Sequence, residues 1–153
     1  PIQSNKTRAI AEHFQWVHSV DRLKVARRLS EQRPQELPPL NICLQVNVDD
    51  EQSKSGGSLD EVSGLAIAVS ALPNLNLRGL MTIPDPDQPD DSLRSSFRQL
   101  ARALEALRQN PQVQGQRDTL AMGISGDLEL AIAEGATLVR VGTALFGARD
   151  YTR

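Results

Sequence analysis

Residues 118–147 read Asp118-Thr-Leu-Ala-Met-Gly-Ile-Ser-Gly-Asp127, then Leu-Glu-Leu-Ala-Ile-Ala-Glu-Gly135, then Ala-Thr-Leu-Val-Arg-Val-Gly-Thr-Ala-Leu-Phe-Gly147. The pattern is a strand, a polar Gly/Ser loop, a short helix from about 127 to 134, a second strand and a Gly-Thr loop. Two successive strand ends thus present small residues whose N–H groups can approach an anion closely. Gly123, Ser125 and Gly126 follow the first strand, and Gly142 and Thr143 follow the second. Between them, Arg140 interrupts the apolar run Leu138-Val139-Arg140-Val141. A guanidinium keeps its proton and can only donate, so an arginine placed there requires an acceptor. A ligand with one phosphate and one ring acceptor would satisfy both features. Each residue also has a plainer use. Ser125 or Asp127 can cap the helix, Gly142 can be a simple turn, and Arg140 can pair with a buried carboxylate.

Upstream, the sequence alternates strands and helices. Ser92–Gln109 places Leu93, Phe97, Leu100, Leu104 and Leu107 at spacings of three and four, the stripe of a helix packed on a sheet. Leu77–Ile83 reads as a strand closed by Pro84, with Gly79 marking a close backbone approach. Leu59–Leu72 reads as an Ala-rich helix stopped by Pro73. Leu40–Val48 alternates strictly, with Leu40, Ile42, Leu44, Val46 and Val48 on one face and Asn41, Cys43, Gln45 and Asn47 on the other. The apolar set should meet helices and the polar set should face a lumen. Phe14–Val20 has strand character, and Ser19 or Asp21 can cap the helix carrying Leu23, Val25, Ala26 and Leu29. A helical stretch spans Thr7–His13. The order β-α-β-α-β-α-β-α-β implies parallel strands. The expected class is α/β, a partial (β/α)8 TIM barrel holding roughly strands four to eight. In complete barrels a phosphate site is commonly built from the loops after strands seven and eight.

The remaining chemistry is sparse. With 153 residues and a net charge of −2, and a pI near 5.7, nothing draws this chain to nucleic acid or to an anionic membrane. No apolar run approaches the ~20 residues of a membrane span. Cys43 stands alone, which excludes a disulfide framework and suits a reducing, cytoplasmic setting. His18 is expected as a hydrogen-bonded residue at a strand end rather than a catalytic base. Lys54, in the loop 49–57, is expected to be solvated. The acidic, proline-rich loop 85–91 lacks the glycine turn and ligand spacing of a Ca²⁺ site. Its carboxylates suit the start of the following helix.

The chain resembles the pyridoxal phosphate homeostasis family (YggS/PROSC-like), a single-domain relative of the alanine racemase barrel. The resemblance rests on Gln-Ser-Asn-Lys at 3–6, His-Ser-Val-Asp-Arg at 18–22 and Gln-Val-Asn-Val-Asp-Asp-Glu-Gln-Ser-Lys-Ser-Gly at 45–56. It continues through Arg-Gly-Leu-Met-Thr-Ile-Pro at 78–84, Met-Gly-Ile-Ser-Gly-Asp at 122–127 and Val-Arg-Val-Gly-Thr-Ala-Leu-Phe-Gly at 139–147. It implies a pyridoxal 5'-phosphate (PLP) site in which Ser125, Gly142 and Thr143 hold the phosphate and Arg140 faces the pyridine nitrogen. It implies no catalytic residue here and no metal. The family's cofactor-attaching lysine lies upstream of the first of these motifs. Lys6, Lys24 and Lys54 are the only lysines present, and none matches it. Residues 1–153 are therefore expected to be the C-terminal part of one PLP-binding domain. The intact protein is expected to be a monomer, while this part, with open sheet edges, should self-associate.

A guanidinium at the ring nitrogen donates a hydrogen bond without surrendering its proton, which leaves the ring a weak electron sink. Racemisation needs bases on both sides of the substrate, and the sole tyrosine, Tyr151, lies in the tail. The expectation is a vitamin B6 carrier rather than an enzyme. A racemase-like enzyme and a non-binding structural segment are the alternatives.

Overall fold

The computed structural model describes residues 1–49, 56–85 and 87–147, with only the backbone at 143 and 144. Lys54, Pro86 and Tyr151 lie outside the described residues. In chain order the elements are α1 (Thr7–His13), β1 (Trp16–Val20), α2 (Leu23–Gln32), β2 (Leu40–Gln45), α3 (Val62–Ser70) and β3 (Leu75–Met81). They continue with α4 (Asp90–Gln109), β4 (Thr119–Ile124), α5 (Leu128–Ala133), β5 (Leu138–Arg140) and α6 (Thr143–Phe146).

The five strands form one parallel sheet whose order follows the chain, β1-β2-β3-β4-β5. Each strand therefore pairs with its neighbours in sequence, and the helices return the chain between them. The product is an α/β half-barrel. Period-two alternation decides which side chains meet the helices. Leu40, Ile42, Leu44, Val46 and Val48 join Leu77, Leu80, Leu120 and Met122 in the main core. The stripe on α4 packs into that core, with Phe97 and Leu100 fully buried and Leu93, Leu104 and Leu107 nearly so. Burying each such side chain contributes about 1.5–3 kcal/mol.

Cys43, Met81 and Ala121 form a second cluster on the opposite face, packed with Trp16 and Leu138. At the amino ends of the strands this face is polar. Arg78 grips Asp118 with two hydrogen bonds of 2.9 and 2.7 Å. Its guanidinium carbon lies 4.4 Å from the centroid of the Trp16 ring. Asn76 donates to Asn41 Oδ1 at 2.9 Å. Burial lifts the Cys43 thiol to about 12.

Several boundaries differ from the sequence reading for local reasons. β3 starts at Leu75 because Asn76 is a lumen-side rung paired with Asn41, not a loop residue. It ends at Met81, before Thr82 turns its hydroxyl to Val46. α3 is shorter than Leu59–Leu72, because Ser58–Glu61 form a turn in which Glu61 accepts from the Ser58 N–H. β2 stops at Gln45, and Val46 makes an isolated parallel bridge to Gly57. Neither Ser19 nor Asp21 caps α2. Arg22 occupies the cap position without a side-chain bond to the helix, and its guanidinium donates to the Asp21 carboxylate instead.

β3 and β4 approach so closely at Gly79 that an added Cβ would sit 1.8 Å from the Thr119 carbonyl oxygen. That contact fixes glycine at 79.

Candidate binding site at the carboxyl ends of β4 and β5

β4 delivers the first loop. Gly123 has φ +96°, and a Cβ there would stand 2.7 Å from the Ala131 methyl, so only glycine lets the strand run this close to α5. Ser125 then takes φ +49°, a left-handed conformation that non-glycine residues avoid. Asp127 closes this turn by accepting the Ile124 N–H on Oδ1 at 2.5 Å. Its side chain makes no forward bond into α5, so the helix-cap reading does not hold for Asp127. Nor does the Ser125 side chain cap the helix. Its hydroxyl accepts the Gly142 N–H across the sheet at 3.2 Å. The two loops expected to meet do meet, at one hydrogen bond.

The parallel register pairs Ile124, the residue before Ser125, with Arg140. Gly142 follows, and its carbonyl accepts from the N–H groups of Leu145 and Phe146 at 2.9 Å each, nucleating the α6 turn. Thr143 opens that turn rather than lying in an extended loop.

Arg140 is half-buried. Its Nη2 donates to the Thr82 carbonyl at 3.2 Å, and its Nε is buried with no partner among the described residues. Among those residues it forms no salt bridge, so the acceptor required of it is a backbone oxygen rather than a carboxylate. Burial lowers its pKa, and the Asp127 charge opposes that shift. Thr82 is itself buried, with its hydroxyl donating to the Val46 carbonyl at 2.8 Å. His18 lies nearby, and its pKa is lowered first by burial and then by the Arg140 charge. Its Nε2 is buried with no partner among the described residues, so the hydrogen-bonded histidine expected from the sequence is not found at that atom. The ring meets Trp16 edge-on, centroids 5.8 Å apart.

Sequence reasoning missed Thr82 and the backward reach of Asp127. A threonine at a strand end and an aspartate before a helix carry no distinguishing signal, because the first acts through its carbonyl and the second through a neighbour's N–H. Asp49 also organises the rim. Its carboxylate accepts from the Asp85 N–H at 3.0 Å, Gln88 Nε2 at 2.9 Å and Ser96 Oγ at 2.7 Å. Among the described residues no group of three or more His, Cys, Asp or Glu could hold a metal ion, and no helix is long and apolar enough to cross a membrane. The arrangement leaves the Ser125 hydroxyl, used here only as an acceptor, with a proton to donate to an anion, and the Arg140 Nε as a buried donor without a partner among the described residues.

Residues 1–150 match the family model described as alanine racemase, N-terminal domain. The chain belongs to that family. Over 151 residues it is 62% identical to a Pseudomonas aeruginosa protein named pyridoxal phosphate homeostasis protein, covering 99% of this chain and 63% of that one. A protein of the same name from Escherichia coli is 53% identical over 154 residues, covering 100% of this chain and 64% of the relative. The chain therefore spans a little under two thirds of the length of these relatives. The solved structure of PipY from Synechococcus elongatus with PLP bound superposes with a TM-score of 0.84 at 36% identity, covering 96% of this chain and 68% of that one. Alanine racemase from Corynebacterium glutamicum shares the fold at 16% identity, with a TM-score of 0.66 over 88% of this chain and 36% of that one.

Proposed function

We propose that this chain is the cofactor-gripping part of a PLP-binding protein that serves intracellular vitamin B6 homeostasis, holding and delivering the cofactor without robust turnover. The observation that carries this reading is the pairing of a buried, unpartnered Arg140 Nε with two strand-end loops already joined through Ser125 and Gly142. The names of the relatives and the PLP-bound PipY structure support it. In this reading Ser125, Gly142 and Thr143 hold the phosphate, and Arg140 meets the ring nitrogen. Bound PLP supplies an electrophilic aldehyde on an aromatic ring. Arg140 keeps its own proton and so limits how far that ring can draw electrons. No acidic or basic side chain among the described residues pairs with Arg140 to share that proton. The sheet then represents strands four to eight of a (β/α)8 barrel, residues 1–153 are the C-terminal part of its one domain, and the protein works in the cytoplasm as a monomer.

Titration of the protein at its natural length with PLP, followed by absorbance of the bound cofactor, tests this. Tight binding is expected, with no interconversion of D- and L-alanine by chiral chromatography. Absence of binding removes the reading, and racemisation at an enzymatic rate removes the carrier role.

A further inference from the structure

Asp127 puts a negative charge beside a pocket read as a phosphate site, which electrostatics alone disfavours. Its hydrogen bonding explains its presence. Oδ1 accepts the Ile124 N–H, three residues back. That bond closes the 124–127 turn and accompanies the left-handed backbone of Ser125 at φ +49°. In that conformation the Ser125 hydroxyl reaches the Gly142 N–H, 17 residues on, and ties the two loops together. Because Asp127 makes no side-chain bond into α5, its bond serves the turn and not the helix. Arg140 stands near enough for the Asp127 charge to act on it, so the carboxylate has a cation to answer its own charge.

We propose that Asp127 is a positioning residue, which holds Ser125 in the backbone conformation that lets it grip a ligand's phosphate. This rests on the reading of the pocket given above. An acceptor at that atom is what the turn requires, and a full charge is not. Asparagine presents the same Oδ1 acceptor, and alanine presents none.

The test uses the natural-length protein and two ligands, pyridoxal 5'-phosphate and pyridoxal, which differ only in the phosphate. Asp127→Ala should lower affinity for the phosphorylated form by about tenfold or more while leaving pyridoxal nearly unchanged. Asp127→Asn, isosteric and able to fold as the parent does, should stay within about threefold of the parent. In the background of Ser125→Ala, adding Asp127→Ala should cost nothing further, since the aspartate acts through the serine. The proposal is overturned if Asp127→Ala leaves the phosphate preference intact or weakens both ligands alike. It is equally overturned if Asp127→Asn behaves like Asp127→Ala, or if the losses with Ser125→Ala add. A parent protein with no preference for the phosphorylated form would instead remove the pocket reading, and this inference with it.

Discussion

The guanidinium of Arg140 is held by the backbone carbonyl of Thr82, 3.2 Å from Nη2, and by no carboxylate among the described residues. That contact does not neutralise the cation, and the Asp127 carboxylate acts on it through its charge alone, without a salt bridge among the described residues. On the function proposed above, the arginine is thus a cost to the sheet and a benefit to the cofactor.

Replacement of Arg140 by methionine should separate those two roles. Removing a half-buried cation that makes no salt bridge among the described residues should leave stability within about 1 kcal/mol of the parent, or raise it. Affinity for PLP should fall about tenfold, the scale of one hydrogen bond to a charged group. Thermal melting and cofactor titration on the same preparation measure both. A large loss of stability would show that Arg140 is a structural residue.

His18 gives the fold a pH dependence of definite sign. Burial and the Arg140 charge hold its folded pKa below its unfolded value of about 6.5. The unfolded chain therefore binds the proton more readily, and stability must fall as pH drops below about 6.5 until the folded pKa is passed. The stability His18 contributes by staying neutral is fully present above that range. Melting temperatures across pH 5–8 should show this slope, and His18→Asn should flatten it. In Arg140→Met the His18 titration, followed by NMR of the ring protons, should move upward.

Asp118 acts in a lower window. The Arg78 hydrogen bonds hold its carboxyl below the usual carboxylate range, so their contribution is present above an unfolded pKa of about 3.9 and is lost as pH falls further. The Asp118 side chain is 49% exposed, so water and salt screen the pair. Asp118→Asn should cost only about 0.2–1 kcal/mol at neutral pH in urea denaturation.

Gly79→Ala should be far more damaging. A methyl cannot share space with a carbonyl oxygen 1.8 Å away, so β3 and β4 must separate. A loss of about 3 kcal/mol or more is expected, seen as a collapse of the urea midpoint or of soluble yield. A mild effect would mean that the two strands are less tightly joined than described.

Much of this architecture was legible beforehand, and for simple reasons. The alternation from Leu40 to Val48 fixes which face meets helices, because period two leaves no other assignment once one face is buried. The α4 stripe through Phe97 and Leu100 is equally unambiguous. Asn76 was harder, because a polar residue that pairs across strands with Asn41 looks like a turn residue until its partner is known. That the loops after β4 and β5 come together was legible from the strand ends, and Ser125 and Gly142 do meet there. What held them was not. The Thr82 carbonyl belongs to every residue type alike, and the left-handed turn at Ser125 comes from a bond that Asp127 makes to a main-chain group.

Cys43 lies fully buried on the sheet face opposite the main core, its thiol pushed up to about 12 by that burial. At neutral pH almost no thiolate exists there, and the sulfur has no open path to a reagent. Alkylating agents should therefore label this chain only during excursions in which the strands part. The rate of labelling becomes a clock for those openings, built into the molecule and legible without a probe of any other kind.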